Sequence, residues 1–389
     1  MHLYCLVGTM GGWRKWLEEE SEYQWLSFAG FAIFVILGSI YINASSDLAG
    51  VNSGTLHENG TGDRLLEMTD SMSLWESETG RYVLDGTDKI ENYQFSSCIS
   101  ESVTIKLICP GENRIVYVDD GNGWSEVNVT ETNHFATHAS INDGSSLVVL
   151  SNGIKSSFMV YDFDTNTKSS NIAEYDGESV IINSVMSKGE NRWLAGGKIL
   201  LSTGNEANPP SREAVFDIIY NDQNQLLIIN PLHIDYSNDG EIHSIIALKD
   251  GAFFAAGTNK AIMFGANEHT KFEYPSRVVI EDLNGDIWLY GTTGDDFVVR
   301  ISEGEAYVES LSEPLGFLPE IGFLDKGKIV LHGISNDDAH EALNIDVDAR
   351  SSLTSLRGVF DFMFIISSLL VIGLMTWNVG DAISKGEIF

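Results

Sequence analysis

Asp282, Asn284 and Asp286 stand at alternate positions in the run "DLNGD" and place three side-chain oxygens where a cation could be held. Calcium favours such carboxylate and amide oxygens, about six to eight of them in a flexible shell. A tight turn uses the same residue types, and no glutamate follows at the spacing of a calcium loop. The run therefore reads as a turn with calcium as its one candidate cofactor. A second run, "GFLDKGKI" from Gly322 to Ile329, nearly spells a phosphate loop. Ile329 sits where a Ser or Thr hydroxyl would reach magnesium, so the expectation there is a hairpin. His134 and His138 lie four apart, which puts both on one face of a strand and makes a metal pair conceivable. No third ligand can be named beside them.

Nothing in the chain has the spacing of a nucleophile elbow or of a zinc hydrolase His-Glu pair. No catalytic residue is assigned, and a non-catalytic protein is the expectation. An enzyme that gathers residues from separate segments stays open. Cys98 and Cys109 are a candidate disulfide. A hairpin turning at Glu101 and Ser102 would set Cys98 opposite position 105, so the simplest register does not join them, and the bond is left open. Asn43, Asn59 and Asn128 each begin an Asn-x-Ser/Thr acceptor for glycosylation.

From about Leu65 onward, apolar segments of a few residues alternate with clusters of Asp, Asn and Gly, and no stretch keeps a helical apolar stripe for three turns. The region is expected to be all-β. Turns near Glu101, Gly144, Gly189, Gln223, Gly251, Gly285 and Gly327 mark seven units with a mean spacing of about 38 residues, the period of a β-propeller. Seven blades are expected, with six or eight as alternatives, and "GRYVLDG" (Gly80 to Gly86) is the expected closing strand. A single small sheet cannot bury both faces, so sheets stack around an axis until the ring closes.

The unit "VVIEDLNGDIWLYGTTGDDFVVRI" resembles the repeat of regulator-type propellers in the periplasmic sensor parts of hybrid two-component receptors. Glu281, Asp282, Gly285, Ile287, Trp288, Leu289, Gly291 and Thr292 match that repeat, with Tyr290 inserted before the Gly-Thr pair. "ALKDGAFFAAGTNKAIMF" keeps Asp250, Gly251, Gly257 and Thr258 and has Phe254 near the tryptophan position. The resemblance implies a propeller across about 250 residues. It does not bring a kinase with it, because only a short segment follows the second apolar run.

Two apolar runs flank the β region, Trp25 to Ile42 and Val359 to Trp377, the second with Asp361 near its start. Each reaches the length at which a helix crosses about 30 Å of hydrocarbon. For the first run, a cleaved leader with a cut near Ile42 to Ser46 is the alternative. Arg14 and Lys15 precede it and no basic residue follows until Arg64, which puts the N-terminus inside. The expected order is a cytoplasmic tail (1–24), in which Trp13, Trp16 and Leu17 could line a surface helix, then a span (25–42) and a flexible tether (43–63). An extracytoplasmic propeller (64–350), a second span (359–377) and a cytoplasmic tail (378–389) complete it. A net charge of −33, from 56 acidic and 23 basic residues, excludes nucleic acid as a natural partner. A ring held near a bilayer suits a protein-binding scaffold or accessory subunit with a membrane-protein partner. An enzyme on extracellular glycans or peptides and a ligand sensor acting through the two helices are the alternatives, and the small-molecule ligand is unknown.

Overall fold

The computed structural model describes residues 21–44, 48, 50–53, 63–90, 95–110, 115–128, 135–142, 144–163, 167–201, 209–236, 239–265 and 269–385. The stretch with Trp13, Trp16 and Leu17, the acceptor Asn59 and His134 lie outside them. Two compact units are present, residues 50–347 and the flanking segments 1–49 and 348–389.

Residues 50–347 form a seven-bladed β-propeller. Blades one to seven have as their first strands Arg64–Met68, Phe95–Glu101, Phe135–Ile141, Glu178–Gly189, Ile242–Ala247, Val278–Glu281 and Phe317–Asp325. Within each blade the strands pair antiparallel in chain order, save for one strand from earlier in the chain at the edge of blade seven, and each first strand packs on the first strand of the next blade, round to the seventh against the first. Blade four carries an additional short strand, Glu174–Tyr175, beside its first strand.

The core lies between blades. In the blade-three strand Ser145–Ser151, Leu147 and Val149 pack toward Trp193 and Phe216 of blade four. Val148 and Leu150 of the same strand pack toward Leu107 and Val118 of blade two. Side chains that alternate between two buried faces explain why this strand reads as an unbroken apolar run. The indole of fully buried Trp193 donates to Ser140 O at 3.0 Å, tying blade four to blade three.

Several expectations are corrected here. The turns at Gly189 and Gln223 belong to one blade, whose strands Arg192–Leu200, Ser211–Asn221 and Leu226–Ile234 are long enough for its outer hairpin to read as a separate unit. The missing unit is blade one, built from Arg64–Met68, Met72–Ser77, Gly80–Asp85 and Asp88–Ile90. Gly80–Asp85 is thus the third strand of that blade and does not close the ring. Closure falls to Val51–Ser53, inside the expected tether, which adds to the edge of blade seven with Val51 opposite Ile345. The cysteine hairpin turns at residues 102–105, with Ser102 N donating to Ile105 O, two residues later than expected. Near "GFLDKGKI", strands Phe317–Asp325 and Lys328–Ser335 meet at Lys326 (φ 49°) and Gly327 (φ 82°), a two-residue turn with both φ values positive, which suits the twist of a hairpin.

Blade one meets blade seven through apolar packing of Leu65, Trp75 and Tyr82 with Ile321 and Phe323. Arg64 adds a forked pair to Glu320, Nε to Oε2 at 3.0 Å and Nη2 to Oε1 at 2.6 Å. We expect Arg64→Ala to lower unfolding free energy by about 1–3 kcal/mol, because a forked, part-buried pair is worth more than an exposed one. Urea unfolding measures it, and an unchanged midpoint would show that closure does not depend on this pair.

In the other unit, helix α1 (Ser21–Ala44) and helix α2 (Val347–Ser384) meet where the rings of Phe34 and Phe364 stack at 5.5 Å. A Cβ at Gly38 would overlap the Phe364 ring, so glycine permits the approach. Among the described residues no helix is long and apolar enough to cross a membrane. In α1 the described side chains are confined to residues 29–40. The second helix begins at Val347, well before the expected start at Val359.

Candidate functional site

Six of the seven first strands break register with their neighbour, blade four at a second place between Ser187 and Gly189 as well. The residues skipped by the pairing near the middle of these strands are Leu66, Ser96 and Ser97, Thr137, Asn183, His243 and Glu320, and Lys188 is skipped at the second break of blade four. A bulge takes a residue out of the in–out alternation and re-aims its side chain. Beside it, side chains clasp consecutive blades. Ile99 N donates to Glu67 Oε2 at 2.8 Å, Ile141 N to Ser100 Oγ at 3.1 Å, and Ile245 N to Ser184 Oγ at 3.0 Å.

The bulges of blades four and five bring polar groups together. Asn183 Nδ2 donates to Glu241 Oε2 at 3.1 Å and to Ile242 O at 3.0 Å. Lys198 Nζ lies 2.7 Å from the same Glu241 oxygen. His243 Nε2 and Thr258 Oγ1 are 3.1 Å apart, while Nδ1 stands 3.7 Å from Glu241 Oε1. Burial alone would raise Glu241, but the Lys198 and Asn183 hydrogen bonds and the Lys198 charge hold its pKa below the usual carboxylate range. Burial, and then the charge of Arg277, lower His243 to about 4 against the smaller opposing effect of Glu241. At neutral pH the cluster is an ionised carboxylate with its own lysine, a neutral imidazole and a guanidinium. Such a set can hold a polar ligand, while an imidazole with so low a pKa is a weak general base at pH 7.

Next to it, Glu213 is fully buried, and its Oε1 accepts from Asn259 N at 2.5 Å. Burial raises this carboxyl to about 7; Asp235 adds to the rise, while the Asn259 amide and Lys260 oppose it. Asp235 itself pairs with Lys260 at 2.9 Å.

The residues singled out in the sequence are placed differently. Asp282 is buried, its Oδ1 accepting from Asn284 N at 2.8 Å and Asp286 N at 3.0 Å, its Oδ2 from the Trp288 indole at 2.9 Å. Asp286 Oδ2 holds Arg300 at 2.7 Å. Both carboxylates are thus engaged by protein groups, and among the described residues no group of three or more His, Cys, Asp and Glu side chains is arranged to hold a metal. His138 is lowered to about 4 by burial, and its Nδ1 has no hydrogen-bond partner among the described residues. Cys98 and Cys109 are register partners with Cα atoms 5.3 Å apart, and their sulfurs are joined. For Asn43 and Asn128 only the backbone is described.

Asn183, Lys198, Glu241, Arg277 and Glu213 carry no motif that sequence reading could find. One signal was available: Ile182-Asn183-Ser184 and Ile242-His243-Ser244 repeat an Ile-polar-Ser triplet at the bulge of two successive blades.

No protein-family model matches the chain. No curated protein matches it in sequence. Among solved structures it is similar to a catalytically inactive virginiamycin B lyase from Staphylococcus aureus, solved with quinupristin, at TM-score 0.50 and 13% identity over 76% of this chain and 98% of that one. It is also similar to the β-propeller domain of Cps50 (Swd1) from Myceliophteria thermophila (TM-score 0.47, 10% identity, 75% of this chain and 98% of that one). Hydrazine synthase from Kuenenia stuttgartiensis gives TM-score 0.47 and 13% identity over 76% of this chain and 99% of that one. The likeness to the lyase agrees with the propeller fold, and the fold is all that it carries.

Proposed function

We propose that this protein is a membrane-anchored, extracytoplasmic propeller that binds a membrane-protein partner as a non-catalytic scaffold or accessory subunit. The observation that carries the reading is the apolar surface of α1 and α2. Ile33, Ile36, Leu37 and Ile40 on α1 are exposed, as are Phe362, Ile365, Leu369, Leu370 and Leu374 on α2, and Trp377 is 75% exposed. Left in water, such a patch would exceed what a soluble monomer tolerates, and hydrocarbon is the natural cover. The joined Cys98 and Cys109 suit an oxidising compartment, which supports placing the ring outside the cytoplasm.

Two experiments test the two halves of this reading. After alkaline carbonate extraction the full chain is expected in the membrane pellet, and its release into the supernatant would remove the anchor. A chain tagged at Phe389 and purified in mild detergent is expected to bring one membrane protein in stoichiometric amount. Recovery of the chain alone would overturn the accessory-subunit role.

A further inference from the structure

The strand added to blade four ends on a tyrosine. Glu174–Tyr175 pairs with Glu178 and Ser179 through a turn at Asp176 (φ 53°) and Gly177 (φ 80°), and two positive φ values in succession make a tight, well-defined hairpin. The Tyr175 hydroxyl lies 3.4 Å from that of Tyr236, and Arg212 Cζ stands 4.9 Å over the Tyr236 ring. Tyr236 is held on two sides, yet it stays 63% exposed. The same end of blade three lies alongside. There Phe135, Ser151 and Ser156 are register partners in turn, and Ala173 N, just before the added strand, donates to Ser156 O at 3.0 Å. Phe135 is 51% exposed and Ile154 68%. Ile154 sits in a turn that Asn152 fixes, its Oδ1 accepting from Ile154 N at 3.0 Å and from Lys155 N at 2.9 Å. Exposed apolar residues scattered one by one need no explanation, but here ordered turns and a stacked guanidinium hold them out together at the junction of two blades. Tyrosine, arginine and bulky apolar groups are what a protein-binding hot spot is made of, and preset geometry lowers the ordering cost of docking.

Charge selects the occupant. Glu174, Asp176 and Glu178 outnumber Lys155 and Arg212 at this end, and among the described residues neither Glu174 nor Asp176 pairs with a cation. A second copy would bring another net charge of −33 to the same place and is opposed, whereas a basic partner is drawn in. We propose that this end of blades three and four is the docking surface for a basic segment of a partner protein. The segment lays apolar side chains on Phe135, Ile154 and Tyr236 and sets its lysines or arginines against Glu174 and Asp176. The proposal rests on the scaffold reading above and names the part of the ring that a partner uses.

In the test, the full chain is immobilised from mild detergent and titrated with a peptide alternating lysine and leucine around one tryptophan, and with its counterpart carrying glutamate for lysine. The lysine peptide is expected to bind at least tenfold more tightly than the glutamate peptide. Ile154→Asp and Tyr236→Ala are each expected to weaken it at least fivefold. Val103→Asp, at a fully exposed residue in the inner hairpin turn of blade two, at the other end of the ring, is expected not to weaken it. General attraction to an acidic chain would be strengthened by Ile154→Asp, so a loss there marks the surface itself. No binding of the lysine peptide, equal or tighter binding by Ile154→Asp, or an equal loss in Val103→Asp would each overturn the surface. Cooperative unfolding checks each variant, and should Tyr236→Ala not fold, Ile154→Asp in its exposed turn carries the test. In purification through a tag at Phe389, Ile154→Asp is expected to lose the membrane protein that the wild type brings, and its retention would overturn the surface. A wild type that binds the lysine peptide at this surface but brings no membrane protein would remove the accessory-subunit reading and leave the surface standing.

Discussion

Replacing Asp282 by alanine is expected to destabilise the propeller by about 3 kcal/mol, because it strips a buried charged acceptor from three donors at once. Those donors are two amides of the turn, Asn284 N and Asp286 N, and the indole of fully buried Trp288. The carboxylate therefore shapes the turn and fixes the tryptophan that packs the blade, which gives a physical reason for an acidic residue, a glycine and a tryptophan at this spacing. Asp282→Asn keeps an acceptor oxygen and is expected to cost about 1 kcal/mol. The double variant Asp282→Ala with Trp288→Phe should cost less than the sum of its parts, since both act on one bond. Urea midpoints decide between these outcomes. Calcium is expected to leave the wild-type midpoint unchanged, because protein donors already occupy both Asp282 oxygens. A calcium-induced rise that Asp282→Ala abolishes would instead establish a cation site there.

Stability is expected to peak at about pH 6 and to fall by about 1 kcal/mol on going to about pH 8. Burial raises Glu67 to about 8, against the opposing Ile99 hydrogen bond, and Glu213 to about 7. Both lie above the ordinary carboxyl value, so as pH rises toward them the unfolded chain has released protons that the folded chain still holds. Stability falls with pH over that window. Burial acts oppositely on His138, His233 and His243, each lowered to about 4. Between there and the ordinary imidazole value the unfolded chain holds the extra protons, and stability rises with pH. Three histidines outweigh two carboxyls below about pH 6, and above it their contribution fades with the ordinary imidazole titration while the carboxyls persist. Glu67→Gln, which offers Ile99 N the same acceptor, should abolish the alkaline fall. Chemical unfolding across pH measures this, and an alkaline limb equally steep in Glu67→Gln would exclude Glu67 as its source.

Much of the architecture could be read from the chain because it is written in short-range pattern. Alternation places Leu147 and Val148 on opposite faces, and a glycine at positive φ lies in the inner hairpin turn of blades four to seven, as Gly285 and Gly327 do. Such rules act over two to four residues, so the all-β class and the period of a propeller follow from them. The count of seven was reached with one blade read twice and one missed. Turn chemistry marks a hairpin without saying which blade owns it, and ownership is a matter of which strands pair.

Closure and the candidate site depend on contacts between residues far apart in the chain. Arg64 meets Glu320 across 256 positions, Asn183 meets Glu241 across 58, and Val51–Ser53 finds its partner strand only once the ring returns to it. The later turn that brings Cys98 opposite Cys109 shows the same dependence at short range, since a shift of two residues in a hairpin changes every pairing. A bulge is a departure from alternation whose place depends on the neighbouring strand. The chain therefore spells out which residues alternate and where it turns, while only the assembled ring brings Asn183 and Glu241, from neighbouring blades, within hydrogen-bond reach of each other.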